Sequence, residues 1–187
     1  MLEINFEPFP TLTTERLVIR QITKEDEEEL FLMRSNLDIM RFIPRPIPKT
    51  VGEISLLLQM MNEGMSKGER INWGIALKEN NKLIGHIGFV HIYKENHRAE
   101  VGYLLQPAYH GTGIMREALI AVLKYGFDNL KLHSIEALVR PENYPSRKLL
   151  EKTGFVQEGY FVENLFWNNR YEDTVVYSLL AKNFKLN

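Results

Sequence analysis

Residues 110–116 have a pattern that could bind an anion. They read His110-Gly111-Thr112-Gly113-Ile114-Met115-Arg116 and lie between a predicted strand that ends near residue 105 and a predicted apolar helix. Glycines at such a turn let the backbone approach a ligand closely, and the free N–H groups of the first helical turn point at an anion such as a pyrophosphate. A dinucleotide-binding fingerprint would need a third glycine at 116, and a P-loop would need Gly-Lys followed by serine or threonine. On its own, the Gly-x-Gly pattern is more typical of an ordinary helix start.

The composition excludes several other kinds of site. The chain has 187 residues and no cysteine, which excludes a disulfide framework, a thiolate nucleophile and cysteine-ligated metal sites. Its five histidines lack the spacing of a metal-binding motif, so we expect no metal site. Because 23 basic residues are balanced by 24 acidic ones, there is no overall positive field to hold nucleic acid or acidic lipid.

The sequence also predicts where the protein acts. Its first ten residues lack the positive start and apolar block of a secretory signal, and no apolar run approaches the ~18 residues of a membrane helix. We therefore expect a cytoplasmic protein with no membrane partner.

The elements that must position residues 110–116 form a series of strands and helices. Predicted strands cover residues 16–20, 73–77, 83–92, 99–105, 135–139 and 174–181, and a further strand begins at residue 154. Predicted helices cover residues 23–36, 50–67, 114–127 and 143–152. This order indicates an α/β protein with one mixed sheet, and the chain shows no repeat or interdomain linker.

Four segments in this order resemble the GNAT superfamily of N-acetyltransferases. They are Thr14-Glu15-Arg16-Leu17-Val18-Ile19-Arg20, Ala99-Glu100-Val101-Gly102-Tyr103, Gly111 to Leu119, and Pro141-Glu142-Asn143 through Ser146 to Phe155. The match is most similar to the RimJ/RimL-like branch of ribosomal-protein N-terminal acetyltransferases. It extends from about residue 12 to 181, within a single domain spanning residues 1–187.

The resemblance implies both the fold and the coenzyme. We expect a mixed, mostly antiparallel sheet of six to seven strands flanked by about four helices, with the fourth and fifth strands splayed around Tyr103 and Ile135. Acetyl-CoA is the implied co-substrate. Main-chain donors from Gly111 to Arg116 would bind its pyrophosphate, and Tyr103, Leu104 and Leu105 would pair with its pantetheine arm. His110 and Met115 depart from the broader family pattern, but main-chain donors do not depend on side-chain identity.

Catalytic roles are expected for Glu100 and Ser146, and a coenzyme contact for Asn143. Glu100, on the strand that would line the cleft, is the favoured base for the amine; the alternative is an exposed glutamate paired with Arg98. Asn143 is expected both to cap its helix and to contact the coenzyme. Many relatives have a tyrosine that acts as the general acid seven residues after this asparagine, where this chain has Leu150. Ser146 is the substitute that could protonate the leaving thiolate, although it could equally pack or cap.

The acceptor is less well defined by the sequence. In relatives, the loops that correspond to residues 44–48 and 164–171 lie near the acceptor, so Arg45 and Trp167 are expected substrate contacts. An N-terminal amine of a ribosomal or other protein is the first interpretation, and a small amine such as a polyamine or an aminoglycoside is an alternative. An alternative function is that of a CoA-binding sensor or interaction module that has lost catalytic turnover. The sequence leaves open whether the chain forms a homo-oligomer.

Overall fold

A computed structural model describes residues 1–185 of the chain. Its strands are β1 (Leu12–Thr13), β2 (Leu17–Arg20), β3 (Ile71–Leu77), β4 (Leu83–Tyr93), β5 (Arg98–Leu105), β6 (Ser134–Val139), β7 (Val156–Trp167) and β8 (Arg170–Leu180). Its α-helices are α1 (Glu27–Ser35), α2 (Leu37–Met40), α3 (Val51–Ser66), α4 (Ile114–Asp128) and α5 (Tyr144–Lys152). None of these helices is both long and apolar enough to cross a membrane.

All eight strands join one sheet in the order β1-β2-β3-β4-β5-β6-β8-β7. Every neighbouring pair is antiparallel except β5 and β6, which are parallel. The predicted α/β class and the mixed, mostly antiparallel sheet are confirmed. The strand count is one above the expected range, because the two-residue strand β1 pairs with β2 at the sheet edge. A strand of two residues is too short to leave an alternating pattern in the sequence.

The predicted splay lies between β5 and β6. These strands pair only from Arg98–Ser134 to Glu100–Glu136. Beyond that point β5 continues against β4 as far as Leu105, whereas β6 continues against β8 as far as Val139. Ile135 itself is paired with Ala99, so the opening begins further along both strands than the sequence predicted. The physical reason is that each strand keeps a longer ladder with its outer neighbour.

Helices cover both faces of the sheet. One core lies against α4 and α5 and includes Leu105, Leu119 and Leu150, while a second lies against α1 and α3 and includes Leu104. Leu104 and Leu105 belong to different cores because successive side chains on a strand point to opposite faces. By the same alternation, Glu100 and Gly102 share the α1 face with Leu104, whereas Tyr103 lies on the α5 face.

Candidate active site

The first turn of α4 carries a row of unused main-chain donors. In residues 1–185, none of the N–H groups from Gly111 to Arg116 donates a hydrogen bond to the protein. The first intrahelical bond starts from Glu117, whose N–H donates to the carbonyl of Gly113 over 3.0 Å. Gly111 and Gly113 have φ values of +76° and +82°, which glycine adopts at little cost. These N–H groups are free to bind an anion, which is the role that the sequence predicted for them.

A clamp from the sheet edge fixes this turn. The carboxylate of Glu117 accepts from the hydroxyl of Thr14 at 2.6 Å, from the main-chain N–H of Arg16 at 2.9 Å and from its Nε at 2.7 Å. The same guanidinium donates to the carbonyl of Thr112 at 3.0 Å. The motif around Arg16 and the glycine segment, distant in sequence, therefore support each other.

The two residues that depart from the family pattern do not block these donors. His110 is exposed, and its Nε2 lies 3.0 Å from the carbonyl of Leu105; since a carbonyl only accepts, Nε2 carries the proton. Met115 is half-buried and packs against the core beneath the turn. Both side chains thus contact the rest of the protein and leave the main-chain N–H groups of the turn uncovered.

A cavity of about 420 Å³ opens where β5 and β6 separate. Glu100, Gly102, Tyr103 and Leu104 line it from β5, and residues 137–139 line it from β6. Gly102 leaves room on the α1 face, where an added Cβ would lie 3.1 Å from a methyl carbon of Val90. Because the sheet is open here, the cavity reaches groups on both of its faces.

Glu100 is a half-buried carboxylate without an ion-pair partner in the described residues. Arg98, which the alternative interpretation assigned to it, instead binds Glu136 on β6 at 2.7 Å. Burial, followed by the negative charge of Glu136 directly across the strand pair, raises the pKa of Glu100 to about 7. A carboxylate with this pKa is suited to accept a proton near neutral pH.

On the opposite side of the cavity, two hydroxyl groups form a pair. The phenol oxygen of Tyr103 lies 2.7 Å from Oγ of Ser146 on α5. Burial raises the pKa of Tyr103 to about 12, so its phenol keeps its proton at neutral pH. The sequence assigned Tyr103 a main-chain contact only, since nothing local indicates that its side chain reaches residue 146.

The helix that carries Ser146 begins with the expected cap. The side-chain oxygen of Asn143 accepts from the main-chain N–H of Ser146 at 3.3 Å, and Asn143 also lines the cavity. Leu150, at the position of the tyrosine found in many relatives, is fully buried in the core. It therefore offers nothing to the cavity, whose lining includes the hydroxyl-bearing residues Tyr103, Ser146 and Thr174.

Of the two expected acceptor contacts, Arg45 lines the cavity and Trp167 does not. Arg45 lines the cavity from the loop after α2, together with Asn164 and Leu165 of β7. Trp167 ends β7 opposite Arg170 and does not line this cavity, nor does Leu105, which is buried in the core. Arg34 on α1 and His86 on β4 also line the cavity, and no motif in the sequence indicated either of them. Within residues 1–185, no group of three or more histidine and acidic side chains is placed to hold a metal ion.

Known proteins resemble this chain in the sequence and the fold that form this site. A model of the acetyltransferase (GNAT) domain matches residues 16–156. The chain belongs to the GNAT family. The uncharacterized N-acetyltransferase YoaA of Bacillus subtilis is 34% identical over 172 residues, which cover 92% of this GNAT chain and 97% of YoaA. The crystal structure of a GNAT acetyltransferase from Bacillus anthracis has a TM-score of 0.82 at 34% identity, and the match covers 92% of this chain and 99% of that one.

Relatives with a stated acceptor fall into two classes. The [ribosomal protein uS5]-alanine N-acetyltransferase of Escherichia coli is 30% identical over 123 residues, 65% of this chain and 63% of that enzyme. A spermidine N-acetyltransferase from Vibrio cholerae, in complex with CoA and spermine, has a TM-score of 0.80 at 26% identity and covers 91% of this chain and 98% of its own. The resemblance to the ribosomal-protein branch is confirmed, and this GNAT protein is an acetyl-CoA-dependent N-acetyltransferase.

The conformation of Gly113 generates a prediction for coenzyme binding. In Gly113→Ala the added Cβ disfavours a φ of +82°, at a cost of roughly 1–2 kcal/mol, and the turn should rearrange. We expect the dissociation constant for CoA, measured by calorimetry, to rise about tenfold or more, because each 1.4 kcal/mol of lost binding is a factor of ten.

Gly154→Ala is the matched control, because Gly154 has a φ of +92° at the end of α5 and an added Cβ would make only a 3.6 Å contact. This variant should lose comparable thermal stability and keep its affinity for CoA. Equal affinity in Gly113→Ala and the wild type would show that the turn does not bind the coenzyme.

Proposed function

We propose that this protein transfers the acetyl group directly from acetyl-CoA to a primary amine bound beside Glu100. The observation that carries the proposal is the unpaired, half-buried carboxylate of Glu100 at the opening between β5 and β6. The acceptor is either the N-terminal amine of a peptide, as in the ribosomal-protein branch, or the amine of a small molecule.

The residues present fit acetyl-CoA in two respects. The free N–H groups from Gly111 to Arg116 suit its pyrophosphate. Beyond Glu100, β5 is unpaired on its β6 side, so main-chain groups of Tyr103 and its neighbours are available to the amides of a pantetheine arm, like the edge that accepts an added strand. The coenzyme supplies a thioester, from which an amine can take the acetyl group without a covalent enzyme intermediate.

Glu100 removes the proton that the amine must lose. The new bond joins the amine nitrogen to the acetyl carbon, and the bond from that carbon to sulfur breaks. The free amine attacks, and its nitrogen in the resulting adduct carries a proton that must leave for the amide to form, so a nearby base that accepts this proton, directly or through a water, is required. The raised pKa makes the conjugate acid of Glu100 weak enough to hold that proton for release after the reaction.

Tyr103 and Ser146 stabilise the departing sulfur. One hydroxyl of the pair donates to the other, which leaves a donor free for the thiolate. Full proton transfer from Tyr103, with a pKa of about 12, to a thiolate with a reference pKa of about 8.5 would cost about 5 kcal/mol. Their role is therefore a hydrogen bond to the developing negative charge, which lowers the barrier without a tyrosinate.

Release of free thiol from acetyl-CoA in the presence of peptides and small amines tests the proposal. Acceptor-dependent release, with the acetylated amine identified by mass spectrometry, is the expected result. Coenzyme binding without release for any acceptor would instead indicate the sensor or interaction module that the sequence also allowed.

Replacement of Glu100 should change both rate and pH dependence. In Glu100→Gln we expect kcat/KM for the amine to fall by roughly 10²–10⁴-fold, because the base is lost. In the wild type, log kcat/KM should rise below pH 7 with a slope of about 2, since both Glu100 and the free amine must lose a proton. In the variant only the amine titrates, and the slope should be about 1.

Glu158→Gln is the control, because Glu158 is an exposed carboxylate on β7 outside the cavity. Its rate and pH profile should match the wild type. CoA affinity should be unchanged in both variants. A wild-type pH profile in Glu100→Gln would remove Glu100 as the base.

The hydroxyl pair should behave as one unit. Tyr103→Phe and Ser146→Ala are each expected to lower kcat by roughly 10–100-fold, and the double variant should fall little further, because either change breaks the same hydrogen-bonded pair. Tyr125→Phe, which removes a phenol hydroxyl without a hydrogen-bond partner in residues 1–185, is the control and should retain kcat. Losses that multiply in the double variant would show that the two hydroxyls act separately.

A further inference from the structure

Arg34 is a cation in the cavity wall without an acidic partner. No carboxylate in residues 1–185 lies within ion-pair distance of its guanidinium, and its Nε is buried without a hydrogen-bond partner. Burial, followed by the charge of Arg45, lowers its pKa to about 10, so the group remains charged at neutral pH. A buried charge that lacks a counter-ion is costly, and proteins rarely keep one outside a binding site.

The neighbour of Arg34 is a second donor that lacks an acceptor. His86, on β4, is only 5% exposed, and its Nε2 lies 3.1 Å from Nη2 of Arg34. Because a guanidinium only donates, Nε2 must accept, and the ring proton is on Nδ1. Burial, followed by the charge of Arg34, lowers the pKa of His86 to about 3 and keeps the ring neutral. Nδ1 is buried and has no hydrogen-bond partner in the described residues.

Arg45 adds a third donor to the cavity. Its guanidinium lies on an exposed loop, where its hydrogen bond is to the adjacent carbonyl of Pro44 at 3.0 Å. It is close enough to lower the pKa of both Arg34 and Glu100. The remaining arginine of the cavity, Arg140, has an acidic partner, Glu172, at 2.7 Å, which also pairs with Arg170.

The cavity is therefore unevenly charged. Glu100 is the only acidic side chain among its described lining residues, while Arg34 and Arg45 are unneutralised. A polyamine would place further positive charges beside these guanidinium groups, and like charges repel most strongly where water is excluded. A carboxylate would satisfy Arg34, Arg45 and the Nδ1–H of His86 together, through charge-assisted hydrogen bonds.

The strand register sets the separation between the two ends. His86 pairs with Leu104, four residues along β5 from Glu100 and on the same face. At about 3.3 Å per residue, the two levels are about 13 Å apart along the sheet, a distance that the long arginine side chains shorten. An amine beside Glu100 and a carboxylate beside Arg34 must then be separated by several bonds.

We propose that the acceptor is an amine that also carries a carboxylate several bonds away, held by Arg34, Arg45 and His86 while the amine reaches Glu100. This inference rests on the proposed function, since it takes Glu100 as the base. Two sources share this chemistry: an ω-amino acid, and a peptide whose N-terminal amine is followed by an acidic side chain.

Matched acceptors that differ only in charge test the proposal. They are 6-aminohexanoate against 6-aminohexanamide, and the amide-capped dipeptide Ser-Glu against Ser-Gln, with spermidine as the polycation. We expect kcat/KM to be at least about tenfold higher for the carboxylate of one or both pairs, since each 1.4 kcal/mol of discrimination is a factor of ten. The pair with the larger ratio identifies the source. Ratios near one in both pairs, or preference for spermidine, would overturn the inference and leave the acetyltransferase function intact.

Variants then tie the preference to these residues. Arg45→Gln changes an exposed loop residue and should not impair folding; it should raise KM about tenfold more for carboxylate acceptors than for their amide counterparts, since both acceptors share any effect of Arg45 on Glu100. Arg34→Lys keeps the charge but loses the fork of donors, and should weaken the preference without abolishing it. Arg41→Gln, an exposed arginine outside the cavity lining, is the control and should behave as the wild type. An unchanged preference in Arg45→Gln and Arg34→Lys would overturn the assignment of the carboxylate to these side chains.

Calorimetry separates failure of this inference from failure of the proposed function. If no acceptor is acetylated, binding of 6-aminohexanoate to the CoA-saturated protein, with weaker binding of 6-aminohexanamide, would support the carboxylate site and count against the enzyme activity. Absence of binding by both at millimolar concentration would count against the carboxylate site.

Discussion

β5 and β6 pair over three residues each and then separate, and the rest of the site depends on this separation. From Glu100 onward, β5 stays with β4, while β6 keeps an unbroken ladder of six residue pairs with β8. The inner edges of both strands are left without strand partners. Main-chain donors and acceptors in such a place require a ligand or water. A gap in the sheet is thus both a cavity and a row of binding groups.

The same separation explains how groups on opposite faces of a sheet can act on one reaction. Glu100 lies on the face covered by α1, and Tyr103 lies on the face covered by α5. In a continuous sheet the strands would divide them. Here the opening lets a single cavity contact both, so the proposed base and the proposed donor to the sulfur lie on either side of the opening.

Two charged groups of the cavity, Glu100 and Arg34, have no ion-pair partner in the described residues, whereas neighbouring groups such as Glu136 are paired. Glu136 and Arg98 neutralise each other at 2.7 Å, which leaves Glu100 with a nearby negative charge and no partner. Arg34 likewise has no acidic partner in the described residues. Each unpaired group lowers the stability of the fold, and proteins accept such a cost where a ligand supplies the missing partner. Stability and function therefore oppose each other at both ends of the cavity.

Local patterns in the chain were enough to predict the four longer helices, though not the four-residue helix α2, and all strands of four or more residues. Each of these depends on side-chain periodicity or on backbone conformation within a few neighbouring residues. The pairing of Arg98 with Glu136 rather than Glu100, and the contact between Tyr103 and Ser146, join residues 38 and 43 positions apart. The contact of Arg34 with His86 spans 52 positions. Such contacts depend on which strands and helices become neighbours and on where two strands part, and a periodic pattern within one segment carries no information about either.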